Sequence, residues 1–144
     1  MNEGKKILIV EDNEGVFKMM EKELDSSTFF VKRARAVDEA VGALGKYGPF
    51  DCIVVDLQIL AMGLTLEQME KYQDREGYAF LKEFLWKGGK DEEVKELKSK
   101  TIICSRYVSG FKKEYRNEMD GLTLVDKTPG FEKEVTSLIK KICL

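Results

Sequence analysis

The sequence contains no histidine. That absence removes histidine-based triads, imidazole metal ligands and imidazole general bases together, so chemistry must rest on carboxylates, amines and hydroxyls. Cysteine is scarce: Cys52, Cys104 and Cys143 form no CxxC motif. Cys52 and Cys104 sit inside apolar runs, where cysteine behaves as a small buried hydrophobe, and a reduced, cytoplasmic setting is expected. Nowhere do about 18 apolar residues run together as a membrane span requires, and the amino terminus MNEGKKILIVEDN lacks a signal-peptide core. Proline is nearly absent, at 2 residues, while 43% apolar and 35% charged residues are the profile of a soluble globular chain. A net charge of -2 gives no electrostatic reason to expect nucleic acid or a membrane as partner. The cluster Lys112, Lys113 and Arg116 reads as a solvated helix face. At 144 residues, the length suits one domain spanning 1–144.

What is present is an alternation of short β-branched runs with segments of helical period. Lys6 to Val10, Phe29 to Ala34, Asp51 to Val55, Thr101 to Cys104 and Leu122 to Val125 read as strands. Several are almost wholly apolar, as parallel strands covered on both faces should be. Val16, Met20 and Leu24 make one helical stripe, Val37, Val41 and Leu44 a second, and Phe131, Val135, Leu138 and Ile142 a third. Thr128 and Pro129 suit an N-cap and a first-turn proline for that last helix. The order is that of an open, doubly wound α/β sandwich. Between the third and fourth strands the spacing widens, leaving room for helices at Leu64 to Gln73 with Thr65 as cap, Gly77 to Trp86, and Lys90 to Ser99. Phe80, Phe84 and Trp86 read as core.

In such a sheet, ligands bind beyond the carboxyl ends of the strands. Those ends carry Glu11 and Asp12, Asp56, Ser105 and Lys127. Asp56 closes the greasy run FDCIVVD, and a carboxylate there needs a partner or a task. Three crowded carboxylates repel unless a cation sits among them, and hard oxygen ligands suit Mg2+. A metal-bound aspartate can attack phosphorus while a lysine and a hydroxyl hold the phosphoryl oxygens. Taken singly, Asp12 with Asn13 could cap the first helix and Ser105 the fourth, and Lys127 and Arg106 could be ordinary surface cations.

Together, ILIVEDN, FDCIVVDL, TIICS and LVDKTPG make the chain similar to the response-regulator receiver domains of two-component signalling. The resemblance implies a CheY-like, flavodoxin-like three-layer sandwich: a five-stranded parallel sheet of order 2-1-3-4-5, with an insertion between the third strand and third helix. It implies Asp56 as phosphoacceptor, Mg2+ held by Glu11, Asp12, Asp56 and the Gln58 carbonyl, and Ser105 and Lys127 as phosphate-binding switch residues. The implied partners are a sensor histidine kinase or phosphotransfer protein and a downstream protein target, in a phosphorelay. With Leu144 directly after the last helix, the expectation is a stand-alone receiver acting by protein binding, homodimerisation included, and not an enzyme beyond its own phosphorylation and dephosphorylation.

The departures from that pattern are specific. Leu60 stands where the family has proline, and Gly77 supplies the glycine that opens the third helix, so residues 59–76 are expected to overhang the site as a lid. Arg106 follows the switch hydroxyl where a small residue is usual, which narrows the path of a small donor to Asp56; an arginine there could also pair with phosphate or with an insertion acid such as Glu67 or Glu70. Leu124 replaces the usual switch aromatic, so Arg106, Tyr107 and Leu124 are candidate modulators. The alternative function is a phosphorylation-independent pseudo-receiver used for docking or dimerisation. A haloacid-dehalogenase-type phosphatase would need aspartate at position 58, which is Gln58, and a flavin-binding protein would need a phosphate loop after the first strand.

Overall fold

The computed structural model describes residues 4–144. Five parallel strands, β1 (Lys5–Val10), β2 (Phe29–Ala34), β3 (Cys52–Val55), β4 (Thr101–Ser105) and β5 (Thr123–Asp126), form one sheet in the order β2-β1-β3-β4-β5. The expected strands are therefore all present, and the order is the expected one. Side chains on a strand alternate between faces, and here the alternation builds two cores. Leu8, Val10, Ile53, Val55 and Ile103 point to one face, where α2 (Val37–Tyr47) supplies Val37 and Ala40. Ile7, Ile9, Cys52, Val54, Ile102 and Cys104 point to the other, under α1 (Glu14–Lys22) and the C-terminal helix. Both faces of β3 and β4 are buried, which is why those strands read as unbroken apolar runs.

The long β3-to-β4 connection contains α3 (Leu66–Lys71), α4 (Glu76–Phe80) running on as a π-helical turn (Leu81–Leu85), and α5 (Asp91–Ser99). Thr65 caps α3 as expected: its hydroxyl accepts from the Gln68 N–H while the Gln68 side chain accepts from the Thr65 N–H, a reciprocal capping box. The helix expected from Gly77 to Trp86 is present but widens to π after Phe80, leaving Leu81 and Phe80 fully buried. Phe80→Ala is expected to lose about 3–5 kcal/mol by denaturant unfolding, the range for deleting a fully buried aromatic ring; a loss under about 1 kcal/mol would contradict this packing.

Next come α6 (Val108–Glu114) and α7 (Phe131–Cys143). The expected Thr128 cap is not used: the N-cap of α7 is Gly130 at φ 86°, and the Thr128 N–H instead turns back to the Asp126 carbonyl. Pro129 thus lies in the turn, before the helix. Lys112, Lys113 and Arg116 are exposed, as expected of a solvated face. No helix of the described residues is long and apolar enough to cross a membrane.

Candidate functional site

At the carboxyl edge of the sheet, Glu11, Asp12, Asn13, Val16, Asp56, Gln58, Arg106, Tyr107 and Lys127 line a cavity of about 180 Å3. The parallel pairing positions the acids. The Glu11 N–H donates to the Ala34 carbonyl and the Asp56 N–H to the Val10 carbonyl, so both residues leave the sheet at the same level. Lys127 arrives from β5, its N–H bonded to the Ser105 carbonyl. Carboxylate oxygens of Glu11, Asp12 and Asp56 come within 4.8 Å of one another. The three acids expected to converge do so.

The Lys127 ammonium donates to Glu11 Oε1 at 2.6 Å and to Asp56 Oδ2 at 2.7 Å. Glu11 is 2% exposed and Asp56 8%. Burial together with the neighbouring Asp56 charge pushes Glu11 up to about 7, against the pull of Lys127. Burial opposes the charge on Lys127, but Asp56 and Glu11 outweigh it and raise the ammonium above its usual value. One lysine among three carboxylates leaves an acid excess, and a divalent ion among hard oxygens would complete the neutralisation. Lys127→Ala is expected to cost about 1–3 kcal/mol in unfolding measurements with chelator, since two buried carboxylates would lose their shared donor. Unchanged stability would mean that the ammonium is not needed there.

The loop carrying the acids is held from two sides. Asn13 caps α1, its side chain accepting from the Val16 N–H at 3.0 Å, while its own N–H donates to Glu11 Oε2. Of the pair Asp12 and Asn13 weighed as a cap, Asn13 makes it, and Asp12 is exposed at the cavity. Arg33 was not anticipated. From β2 its guanidinium donates to the Glu11 and Asp12 carbonyls at 3.2 and 2.9 Å, with the cation 5.4 Å from the Phe17 ring centroid. Only the pairing of Ile9 with Arg33 across β1 and β2 brings it there, so no local sequence signal marks it.

The other candidates divide. The Gln58 N–H donates to Asp56 Oδ1 at 3.2 Å, and Gln58 lines the cavity. Ser105 ends β4 buried, but its hydroxyl accepts from the Tyr107 N–H, and it is not among the cavity-lining residues. Its position is right for the end of a strand; its hydroxyl is turned into the α6 entry. Arg106 and the half-exposed Tyr107 form the wall. Among the described residues no carboxylate pairs with Arg106, so the pairing weighed with Glu67 or Glu70 is not made. Arg75 instead bridges to Glu114 of α6 at 3.2 Å. Leu124 pairs with Ile103 and packs into the α2 and α4 core, away from the cavity.

The expected lid lies to one side. None of residues 59–76 lines the cavity. Leu60 forms a parallel bridge with Ala36, the Asp38 N–H donates to the Met62 carbonyl, and Ile59, Leu64 and Tyr72 are buried. The Tyr72 hydroxyl donates to Glu83 at 2.6 Å. These bonds lay the insertion along the start of α2 and against α4. At the far end of it, Gly77 opens α4 with its N–H on the Leu57 carbonyl and its Cα pressed against the Asp56 peptide.

No protein-family model and no curated protein matches this sequence. Solved structures do. The non-phosphorylated HemR receiver domain from Leptospira biflexa aligns at TM-score 0.65 and 22% identity, over 96% of this chain and 94% of that one. A CheY-like response regulator receiver domain protein from Methanospirillum hungatei JF-1 aligns at TM-score 0.62 and 18% identity, over 96% and 92%. The Mn2+-bound form of response regulator Rcp1 aligns at TM-score 0.60 and 17% identity, over 96% and 91%. The chain therefore has the CheY-like fold of response-regulator receiver domains.

Proposed function

We propose that this protein is a response-regulator receiver that accepts a phosphoryl group on Asp56. The observation that carries the reading is the placement of the Asp56 carboxylate in a small open cavity, 2.7 Å from the Lys127 ammonium and beside Glu11 and Asp12. The donor is a phosphohistidine on a sensor kinase or phosphotransfer protein. An Asp56 oxygen forms the new O–P bond as the N–P bond breaks, and the leaving imidazole takes a proton. Glu11, Asp12, Asp56 and the Gln58 carbonyl are the groups that would hold Mg2+, whose charge offsets that of the incoming phosphoryl oxygens. Lys127 supplies a fixed positive charge, and Arg106 lies on the wall that the donor must pass.

Output in this reading is a change in affinity for a protein target in the cytoplasm, with no nucleic acid or membrane required. For Ser105 to reach the phosphoryl group, its hydroxyl must leave the Tyr107 N–H, and that exchange would reshape the entry to α6. The test is intact mass after incubation with acetyl phosphate, with Mg2+ or with chelator. A single phosphoryl adduct formed only with the metal is expected. Absence of an adduct, with phosphorylated kinases tried as donors too, would overturn the reading in favour of a docking module that does not use phosphate.

A further inference from the structure

Of the three acids at the cavity, Asp12 is the one whose carboxylate nothing holds. Glu11 and Asp56 share the Lys127 ammonium, and each accepts in addition from a nearby main-chain N–H, that of Asn13 and that of Gln58. Asp12 is exposed, and among the described residues its carboxylate makes no hydrogen bond or ion pair. Its direction is therefore set by its backbone alone. Arg33 holds that backbone on both sides. Its Nε donates to the Glu11 carbonyl at 3.2 Å and its Nη2 to the Asp12 carbonyl at 2.9 Å. Those carbonyls belong to the two peptide groups that flank the Asp12 Cα, so one planar fork fixes both.

The fork is itself well fixed. Pairing with Ile9 sets the level of Arg33 on the sheet, and its cation lies 5.4 Å from the ring centroid of Phe17, a buried residue of α1. Glu39 is paired with Arg35, and among the described residues no carboxylate pairs with Arg33. The guanidinium thus serves main-chain carbonyls rather than an ion pair. Arg33 does not line the cavity, so it acts on the acids from behind their loop.

We propose that Arg33 is a positioning residue for the metal site, setting both the affinity for Mg2+ and the preference for Mg2+ over Ca2+. The proposal rests on the reading that the acidic cavity holds Mg2+. Groups that orient metal ligands without touching the ion govern its affinity. Mg2+ demands a near-octahedral oxygen set, whereas Ca2+ accepts irregular ones, so a loosened Asp12 harms Mg2+ binding more. Charge alone argues the other way: a cation behind the acids repels a divalent ion, and its removal would tighten binding of both metals. The sign of the effect therefore separates positioning from electrostatics.

The test is calorimetric titration of the metal-free, unphosphorylated chain with MgCl2 and with CaCl2 at matched ionic strength. Arg33→Met is expected to weaken Mg2+ binding about 10-fold or more, with a clearly smaller loss for Ca2+. Arg33→Lys keeps the charge but loses the fork, and is expected to weaken Mg2+ binding in the same direction; it decides the matter if Arg33→Met does not fold. Unchanged or tighter Mg2+ binding in the folded variants, or equal losses for the two metals, would overturn the proposal. The Asp56 adduct is scored separately on the wild type. A wild type that forms it while the variants bind Mg2+ normally sinks the Arg33 role alone. A wild type that binds Mg2+ but never forms it, with binding weakened in Arg33→Met, supports the Arg33 role and sinks the phosphoacceptor reading. A wild type that binds no Mg2+ overturns the Arg33 role, since no ion is there to be placed.

Discussion

Asp56→Asn is expected to abolish the phosphoryl adduct while leaving the chain folded. The carboxamide keeps the size of the side chain and an oxygen able to accept from Lys127. It removes the anionic nucleophile and one of the three carboxylates near the metal position. Two readouts follow. Acetyl phosphate with Mg2+ should give no adduct on the variant, and Mg2+ should protect the variant against unfolding less than it protects the wild type. Stability without metal should stay within about 1 kcal/mol of wild type, because removing one of two like charges around Lys127 offsets the weaker bond to it. An adduct of undiminished yield on the variant would place the chemistry elsewhere, with Asp12 the next carboxylate in the cavity.

Gly77→Ala is expected to damage both stability and chemistry. A Cβ at position 77 would meet the Asp56 carbonyl oxygen head-on, the Val55 Cγ1 at 2.7 Å and the Asp56 carbonyl carbon at 2.9 Å. Two of those three atoms are backbone and cannot swing away. The N-terminus of α4 and the Asp56 peptide must then separate, breaking the Gly77 N–H bond to the Leu57 carbonyl. The cost is expected at about 3 kcal/mol or more, the upper range for overpacking a close contact, and alanine's helix preference of about 1 kcal/mol does not offset it. Equilibrium unfolding measures that cost, and the adduct yield with acetyl phosphate measures the effect on Asp56. Gly42→Ala is the control: Gly42 lies within α2 with nothing near its Cβ position, and the change should stabilise by up to about 1 kcal/mol. A neutral Gly77→Ala would mean that α4 does not lean on the Asp56 loop.

How far the sequence could be read follows from where the information lies. The strands were legible because β3 and β4 are covered on both faces, and a short unbroken apolar run bounded by turns fits a strand buried on both sides. Glu11, Asp12, Asp56 and Lys127 were legible because each lies within two residues of the last apolar residue of a strand. Their convergence then depends only on the strands being parallel. Thr65 was legible because a cap and its reciprocal partner, Gln68, are local in sequence. What escaped depends on distant contacts. Arg33 reaches the acidic loop through the β1 to β2 register, and the insertion is laid beside α2 by the bridge from Leu60 to Ala36 rather than by any property of residues 59–76 alone. The Thr128 cap failed for a related reason. A positive-φ Gly130 starts the helix later, and a Thr-Pro pair fits a turn as well as an N-terminus.

For Arg106 the local sequence sets the place but not whether an insertion acid meets it. It stands on the cavity wall, where its position after β4 puts it. The insertion acids weighed for it, Glu67 and Glu70, are exposed and belong to an insertion that lies elsewhere. Arg75, which carried no sequence signal, makes the bridge from the insertion's end to α6 instead.

The phosphoacceptor role proposed for Asp56 is open to direct measurement. The most direct measurement is peptide mapping by mass spectrometry after acetyl phosphate and Mg2+, followed by borohydride, which reduces an aspartyl phosphate to homoserine with release of phosphate. Homoserine at position 56 and at no other carboxylate is the predicted result. Homoserine at Asp12, 2-amino-5-hydroxypentanoate at Glu11, or an unmodified position 56 in protein that carries the adduct, would contradict it.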